Sequence, residues 1–340
     1  MPRYHYFVLI LSLVLLFAAR AEARERIRIV GSPSMLPFIT TIAEHFSHGH
    51  WDFQSPFLEF TGTGSGFKLL CAGVGYQHPD INVASRPVSA AEFARCRANG
   101  LEITEMTIGG EGIVIISAKG SPVIDFSPKL IFSALAARVE INGALAANPH
   151  KLWSDIDPGL PATEIRVMGP EPNTVANDVF FQLLMEKGGM EFPAVAGLDE
   201  ARRHKVLNTQ RDDGALVERM KSEPRAVAWL RAHPEGFAIV PYAFFHDNEE
   251  SLQAHPVEGA EPTLENIGKK TYSLTAPVIF YVKRQHVTAI PGLQEFLYES
   301  ASERAISPDG YLADHGFAPL DDRGRNEARN RTFDLQVYSP

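Results

Sequence analysis

Apolar positions along this chain switch repeatedly between a two-residue and a three-to-four-residue period, and each switch passes through a polar loop. From Arg26 to Val30 the alternation of Ile27 and Ile29 predicts a short strand. Gly31-Ser32-Pro33-Ser34 follows, and Met35 to Phe46 then carries Leu36, Ile39, Ile42, Ala43 and Phe46 at helical spacing. Ser34 stands where an N-cap belongs, with Pro37 tolerated in the first turn. A second unit reads Leu58-Glu59-Phe60 as strand, a glycine-and-hydroxyl loop, and Phe67 to Val74 as helix. The third has Ile81 to Ala84 as strand, Ser85-Arg86-Pro87 as loop, and a helix announced by the capping box Ser89-Ala90-Ala91-Glu92. The fourth has Glu164 to Met168 as strand, Gly169 to Thr174 as loop, and a helix from Val175 to Lys187 that stops at Gly188-Gly189.

Between and after these units the pattern is less regular. Glu102 to Met106 and Gly112 to Ser117 read as two strands split by Gly109-Gly110, which suits a hinge or a sheet edge. Pro122 to Ala137, Leu145 to Trp153, Gln210 to Met220 and Pro224 to Arg231 read as helical, and Phe237 to Val240 as a strand. Thr271 to Val282 is a long extended run interrupted by Pro277, placed to carry the chain back toward its first part. Leu293 to Ser300 reads as helix, and the charged tail beyond Arg323 as frayed. Alternating strands and helices predict an α/β fold with mostly parallel sheets, in which ligands sit outside the carboxyl ends of the strands.

Length and composition add the compartment and the number of lobes. The N-terminus has Arg3, an apolar run from Phe7 to Ala19 and a small-residue site at Ala21-Glu22-Ala23, which predicts an export signal over residues 1–23. The apolar run is short for a membrane span, with an uncleaved anchor as the alternative, and no cysteine follows the site, so the mature protein is expected to be soluble and periplasmic, without a lipid anchor. Removing residues 1–23 takes away Arg3, Arg20 and Glu22 and moves the net charge from −9 to −10. Such a chain is a poor partner for nucleic acid or anionic membrane, and any anion site in it must be built locally. The remaining length exceeds what one hydrophobic core usually serves, so two lobes are expected. Residues 24–110 form the first part of lobe 1, 111–275 lobe 2, and 276–340 a return to lobe 1 with the tail.

Cys71 and Cys96 are the two cysteines. In an exported chain they read as one structural disulfide, with two buried free thiols as the alternative and a redox C-x-x-C excluded by the spacing. His45, His48 and His50 match no metal-ligand spacing and read as a solvated helix end. Trp51, Trp153 and Trp229 read as packing residues, and Asp212-Asp213-Gly214 as a solvated turn.

The loop Phe60-Thr61-Gly62-Thr63-Gly64-Ser65-Gly66-Phe67-Lys68 carries the clearest chemistry. Its glycines leave backbone N–H groups uncovered, its hydroxyls add donors, and a helix N-terminus follows, which together make an anion cradle. It is not a dinucleotide fingerprint or a Walker loop, because Phe67 stands where glycine is needed, and not a nucleophile elbow, because Thr63 does. Arg86, just past a strand, is the cation able to clamp an oxyanion with two bonds, and an ordinary surface or interlobe ion pair is its other reading. Ser65 has no recognisable base near it in sequence, and no metal-ligand set or cofactor motif emerges, so an enzyme such as a phosphoester hydrolase is not expected.

With these residues in hand, the chain resembles the periplasmic phosphate-binding proteins of ABC phosphate importers. The likeness lies in Gly31 to Phe38, Thr61 to Lys68, Cys71 to Gly75, Pro79 to Arg86 and Ser307 to Leu312, in order along nearly the whole mature chain. It implies a two-lobed, class II periplasmic-binding fold that binds inorganic phosphate in an interlobe cleft, without cofactor or metal. It further implies a monomer that delivers the ligand to a membrane permease. The ligand-binding positions it implies are Ser34, Met35, Ser65, Gly66, Ser85 and Arg86 in the first lobe, with Thr174 and Asn177 in the second. In that second-lobe loop Val175, Ala176 and Asn177 stand where the family has glycine, a hydroxyl residue and arginine, and Pro33 and Pro87 stand for a serine and an arginine in the first. A charge-assisted hydrogen bond is worth about 1.5–3 kcal/mol. The substitutions therefore motivate a second reading, a diverged module for another oxyanion or a phosphorylated ligand, or for signalling without transport.

Overall fold

The short apolar runs pair into one long sheet. The computed structural model describes residues 24–172, 174–217 and 223–340, so the export signal, Asn173 and the end of the Gln210–Met220 run lie outside the described residues. The strands are β1 (Arg28–Gly31), β2 (Phe57–Phe60), β3 (Ile81–Ala84), β4 (Ile103–Ala118), β5 (Arg138–Ile141) and β6 (Ala144–Ala147). They continue with β7 (Val167–Met168), β8 (Leu216–Val217), β9 (Phe237–Pro241), β10 (Leu252–Ala254), β11 (Thr275–Lys283) and β12 (Phe317–Pro319). The order across the sheet is β2-β1-β3-β11-β4-β9-β7-β8, with β10 and β12 also on β4. β1 pairs in parallel with β2 and β3, and β7 in parallel with β8 and β9. Between these two parallel groups, β11 and β4 run antiparallel to their neighbours.

β4 holds the two groups together. It is one strand of 16 residues, not two strands split at Gly109-Gly110. Residues Ile103 to Gly112 pair with β11 and Ile113 to Ile116 with β9. The glycines are close-packing positions, not a break. A Cβ on Gly109 would sit 2.0 Å from the Phe317 ring, and one on Gly112 would sit 2.4 Å from Ile267. Pro277 is accommodated opposite Gly110, next to a register shift between Val278 and Ile279.

The helices that flank the first group follow the sequence reading with shifted ends. α1 (Leu36–Gly49) buries Phe38, Ile39, Ile42, Ala43 and Phe46. A 3₁₀ turn over Pro33–Met35 precedes it, so Ser34 lies inside that turn and Ser32 takes the cap position. α2 (Thr63–Leu70) begins within the glycine-rich stretch, four residues before the expected Phe67, because the glycines there adopt helical geometry once packed on β3. α3 (Ala90–Ala98) starts with the capping box that the sequence announced. Cys71 and Cys96 are joined in a disulfide with Cα atoms 4.4 Å apart. It lies in a buried cluster with Phe67, Leu70, Ile103 and Tyr281.

Elsewhere tertiary packing overrides the local pattern. The helix α4 covers only Pro128–Leu135, and β5 and β6 form a hairpin where Leu145 to Trp153 read as helix. α5 (Val175–Val179) continues as a π-helical stretch, Phe180–Glu186, and a further turn, Lys187–Met190, through Gly188-Gly189. Those glycines do not stop the helix. A Cβ on Gly188 would sit 2.0 Å from the Pro128 carbonyl oxygen. Arg211 to Val217 is not helical, because the buried Arg211 bonds the carbonyls of Ala134 and His150 and pairs with Asp213, and β8 joins the sheet. α6 (Leu293–Ser300) is as expected, while the tail forms α7 (Asp322–Asp334), capped by Asp321. Trp51 is 88% exposed, against its reading as a packing residue, whereas Trp153 is fully buried. His45 is half-buried with its ring stacked on Tyr311 at 3.7 Å, while His48 is exposed at the helix end.

At the amino-terminal edge of β3 the fully buried Asp80 accepts bonds from the Arg24 side chain, the Arg28 amide and His286 Nδ1. His286 Nε2 faces the Val74 carbonyl at 2.9 Å, and Lys283 donates to the Gly73 carbonyl. Burial lowers the Lys283 amine to about 8. This polar network anchors the edge of the sheet opposite the glycine-rich turn. Among the described residues no helix is long and apolar enough to cross a membrane.

Two measurements test this packing. Gly66 is buried against Asn82, and a Cβ there would lie 2.0 Å from Asn82 Oδ1. Gly66→Ala is therefore expected to lower the unfolding free energy by about 1–3 kcal/mol in a denaturant titration. Reducing the Cys71–Cys96 bridge, whose cysteines are 25 residues apart, is expected to cost about 3 kcal/mol and lower the melting temperature while far-ultraviolet dichroism is retained.

Candidate functional site

β1, β2 and β3 run parallel, so their carboxyl ends lie together, with Gly31 in register with Phe60 and Val83. The loops that leave them are stitched to one another. Ser32 N donates to the Val83 carbonyl and Gly62 N to the Gly31 carbonyl, both at 2.9 Å. Close approach at Gly31 excludes any side chain, since a Cβ would sit 2.2 Å from the Val83 oxygen.

On this edge the hydroxyls and amides converge. Thr63 Oγ1 lies 3.1 Å from Ser85 Oγ and accepts from Ser85 N at 3.2 Å. The first intrahelical bond of α2 runs from Gly66 N to the Gly62 carbonyl at 2.8 Å. The amides of Thr63, Gly64 and Ser65 precede it and point out of the helix end. Ser65 is exposed there, while Gly66 is buried on Asn82. Ser34 is half-buried on the neighbouring turn, with its Oγ 3.5 Å from Ser32 Oγ. Met35 differs from the other named positions. Its side chain is fully buried and its amide donates to the Ser32 carbonyl at 3.0 Å, so its amide is taken within the turn.

Arg86 is held beside this helix end. Its Nη1 and Nη2 form a two-pronged pair with Glu92 at 2.9 and 2.8 Å, and Nη1 also reaches the Pro87 carbonyl. Three of its five N–H donors are engaged in these bonds. Nη2 lies 3.6 Å from where a Gly64 Cβ would be. The Glu92 hydrogen bonds raise the Arg86 guanidinium above its ordinary value. Burial works to raise the Glu92 carboxyl, but the bonds from Arg86 and Ser89 outweigh it and hold it below the usual range. Asp178, from the other parallel group, adds its charge to Arg86. Arg86 is thus at once a cation beside the α2 amides and an electrostatic link between the two groups.

The facing element is α5, which packs against the Pro33–Met35 turn. Thr174 caps it, donating from Oγ1 to the Glu171 carbonyl at 2.6 Å and accepting from Asn177 N at 3.3 Å. Asn177 is half-buried on the helix's first turn. Val175 and Ala176 are each 1% exposed and belong to the hydrophobic core. The apolar residues at these two positions therefore face inward, and the polar content of the turn rests on Thr174, Asn177 and Asp178.

Sequence reasoning missed the residues that hold the named ones in place: Thr63 under Ser85, Asn82 under Gly66, Glu92 on Arg86, Asp178 opposite it, and Glu111. Glu111 lies in β4, 2% exposed, with the Ser34 hydroxyl acting on its carboxyl. Its Oε2 has no hydrogen-bond partner. Burial pushes its carboxyl up to about 8. The available signal was a lone carboxylate inside an otherwise apolar run from Ile108 to Ile116.

The chain as a whole is similar to known proteins. The phosphate-binding protein PstS of Staphylococcus saprophyticus is 22% identical over 310 residues, covering 90% of this chain and 83% of the relative. The crystal structure of a possible phosphate binding protein from Planctomyces limnophilus superposes with a TM-score of 0.63 at 19% identity, over 91% of this chain and 98% of that one. An ABC-type phosphate transport receptor from Vibrio cholerae superposes with a TM-score of 0.58 at 18% identity, over 86% and 99%. The sequence model of the PBP superfamily domain matches residues 18–304, and the chain belongs to that family.

Proposed function

We propose that this chain is an extracytoplasmic solute-binding protein that captures inorganic phosphate between its two parallel strand groups and delivers it to an ABC-transporter permease. The observation that carries this reading is the convergence of Ser65, Ser85, Arg86 and the first-turn amides of α2 on one edge, facing Thr174 and Asn177 at the start of α5. Hydroxyls, uncovered amides and a fixed guanidinium are the donors that a dehydrated tetrahedral oxyanion requires. The net charge, −9 for the full chain and −10 without residues 1–23, gives no long-range attraction for an anion, so capture depends on these local donors. In this reading residues 24–110 and 276–340 form one lobe and 111–275 the other, and closure brings α5 onto the Pro33–Met35 turn. Phosphate is the ligand in the names of the Staphylococcus and Vibrio proteins. The apolar run from Phe7 to Ala19 and the Ala21-Glu22-Ala23 site support export to the periplasm, where the protein acts as a monomer.

A second reading keeps the binding role and changes the ligand to another oxyanion or a phosphorylated molecule. It is favoured by the inward-facing Val175 and Ala176 and by Asn177 where the resembled family has arginine.

Titration calorimetry against phosphate, sulfate and organic phosphates decides between them. Phosphate is expected to bind most tightly and to raise the melting temperature, and no shift at millimolar phosphate would sink the first reading. Arg86→Gln is expected to weaken phosphate binding by about ten- to a hundredfold, the equivalent of one charge-assisted bond.

A further inference from the structure

The loop that holds Arg86 is also tied to β11. Tyr281 of that strand is fully buried and stands in register with Asn82 of β3 on one side and Glu105 of β4 on the other. Its hydroxyl accepts from the Val88 amide at 2.9 Å and donates to the Glu105 carboxylate. Val88 lies two residues after Arg86, and Pro87 between them has no amide to donate. The Arg86 loop is thus pinned at two points, by Ser85 N on Thr63 Oγ1 at the start of α2 and by Val88 N on Tyr281. The Tyr281 ring also packs on Phe67 of α2, with centroids 4.9 Å apart. One side chain therefore touches both the helix whose first amides face the cleft and the loop that carries the guanidinium.

The same ring meets the C-terminal tail, whose charge reads as a frayed end in the sequence. After α7 the backbone turns through Leu335 in a left-handed conformation, and Tyr338 N donates at 2.8 Å to the carbonyl of Ile103, the first residue of β4. The half-buried Tyr338 ring stands edge-on to Tyr281 at 6.1 Å and edge-on to Phe93 at 5.4 Å. Phe93 follows Glu92 on α3, the carboxylate that grips Arg86 with two bonds. Tyr338 is a wedge between β11 and α3. We infer that Tyr281 and Tyr338 are positioning residues of the oxyanion site: Tyr281 fixes the Arg86 loop against the α2 amides, and the tail, through Tyr338, fixes α3 and its Glu92 against Tyr281. Both act through Arg86, and the affinity of the site is set in part by a segment that follows the last helix. The inference rests on the reading of this edge as the oxyanion site.

Calorimetry of the full chain with inorganic phosphate tests it through a double-variant cycle. Tyr281→Phe removes only the hydroxyl, and Tyr338→Ala only the wedge. With Arg86 present, each is expected to weaken phosphate binding about three- to tenfold, the scale of one lost hydrogen bond. In an Arg86→Gln background each is expected to cost less than about twofold, because the residue they position is gone. Tyr338→Phe keeps the ring and is expected to bind as the wild type does. A merely structural role would weaken binding equally in both backgrounds. That result, or no loss with Arg86 present, overturns the inference and leaves the phosphate reading intact. No phosphate binding by the wild type overturns that reading, and the inference with it. A second measurement covers the case in which Arg86→Gln binds too weakly to titrate or Tyr281→Phe does not fold. In isotope-labelled, phosphate-free protein the Arg86 Nε–H signal, assigned by its absence in Arg86→Gln, is expected to have a lower order parameter in Tyr338→Ala than in the wild type. Equal order parameters overturn the inference.

Discussion

One strand must pair with both halves of the sheet at once, and the rest of the molecule is arranged around that requirement. β4 pairs with β11 over its first part and with β9 over its last, so the parallel groups on either side share a backbone. Such a strand has little freedom to present side chains where neighbours crowd it from both faces. Gly109 and Gly112 answer this by having none, with Phe317 and Ile267 filling the space. The carboxyl ends of β1 to β3 and the start of α5 then face each other because their strands are registered, directly or through β11 and β9, to this one element.

The site built on that frame is economical in its use of hydroxyls. Thr63 binds Ser85, Ser89 binds Glu92, and Thr174 binds the first turn of α5. Each of these bonds fixes a backbone segment at a strand or helix end. The result is a rigid edge of polar groups with one cation in it, in a chain whose overall charge is negative. Val175 and Ala176 show the converse. They stand at loop positions of the resembled family and lie in the hydrophobic core here, so the polar groups at the start of α5 are Thr174, Asn177 and Asp178.

Much of this was legible in the sequence where period and punctuation agree. The strand–loop–helix units at Ile27–Phe46 and Ile81–Ala98, the Ser89–Glu92 capping box and the disulfide are local or compositional signals, and the structure has each of them, though Ser34 lies within a 3₁₀ turn and does not cap the first helix. The failures share a cause in long-range packing. Gly109-Gly110 and Gly188-Gly189 look like breaks, and only the positions of Phe317 and Pro128 show that they permit close contact inside regular elements. Arg211 to Val217 has helical spacing but gives its backbone to β8 and its guanidinium to distant carbonyls. Trp51 carries no local sign of its exposure, and Glu111 could be noticed as an oddity in β4 but not connected to Ser34, 77 positions earlier in the numbering of the chain.

Glu92 occupies two roles with one carboxylate. Its Oε2 accepts from the Ser89 amide at 2.9 Å, closing the start of α3, and from Arg86 Nη1 at 2.9 Å. All three residues lie within seven positions of one another, so the guanidinium is oriented by a local fold that does not depend on closure of the cleft. An arginine side chain carries about 2 kcal/mol of rotamer entropy. Here that disorder is removed when α3 forms, before any ligand arrives. Under the proposed phosphate reading the guanidinium is in place before an anion arrives, and the loss of freedom on binding falls on the ligand.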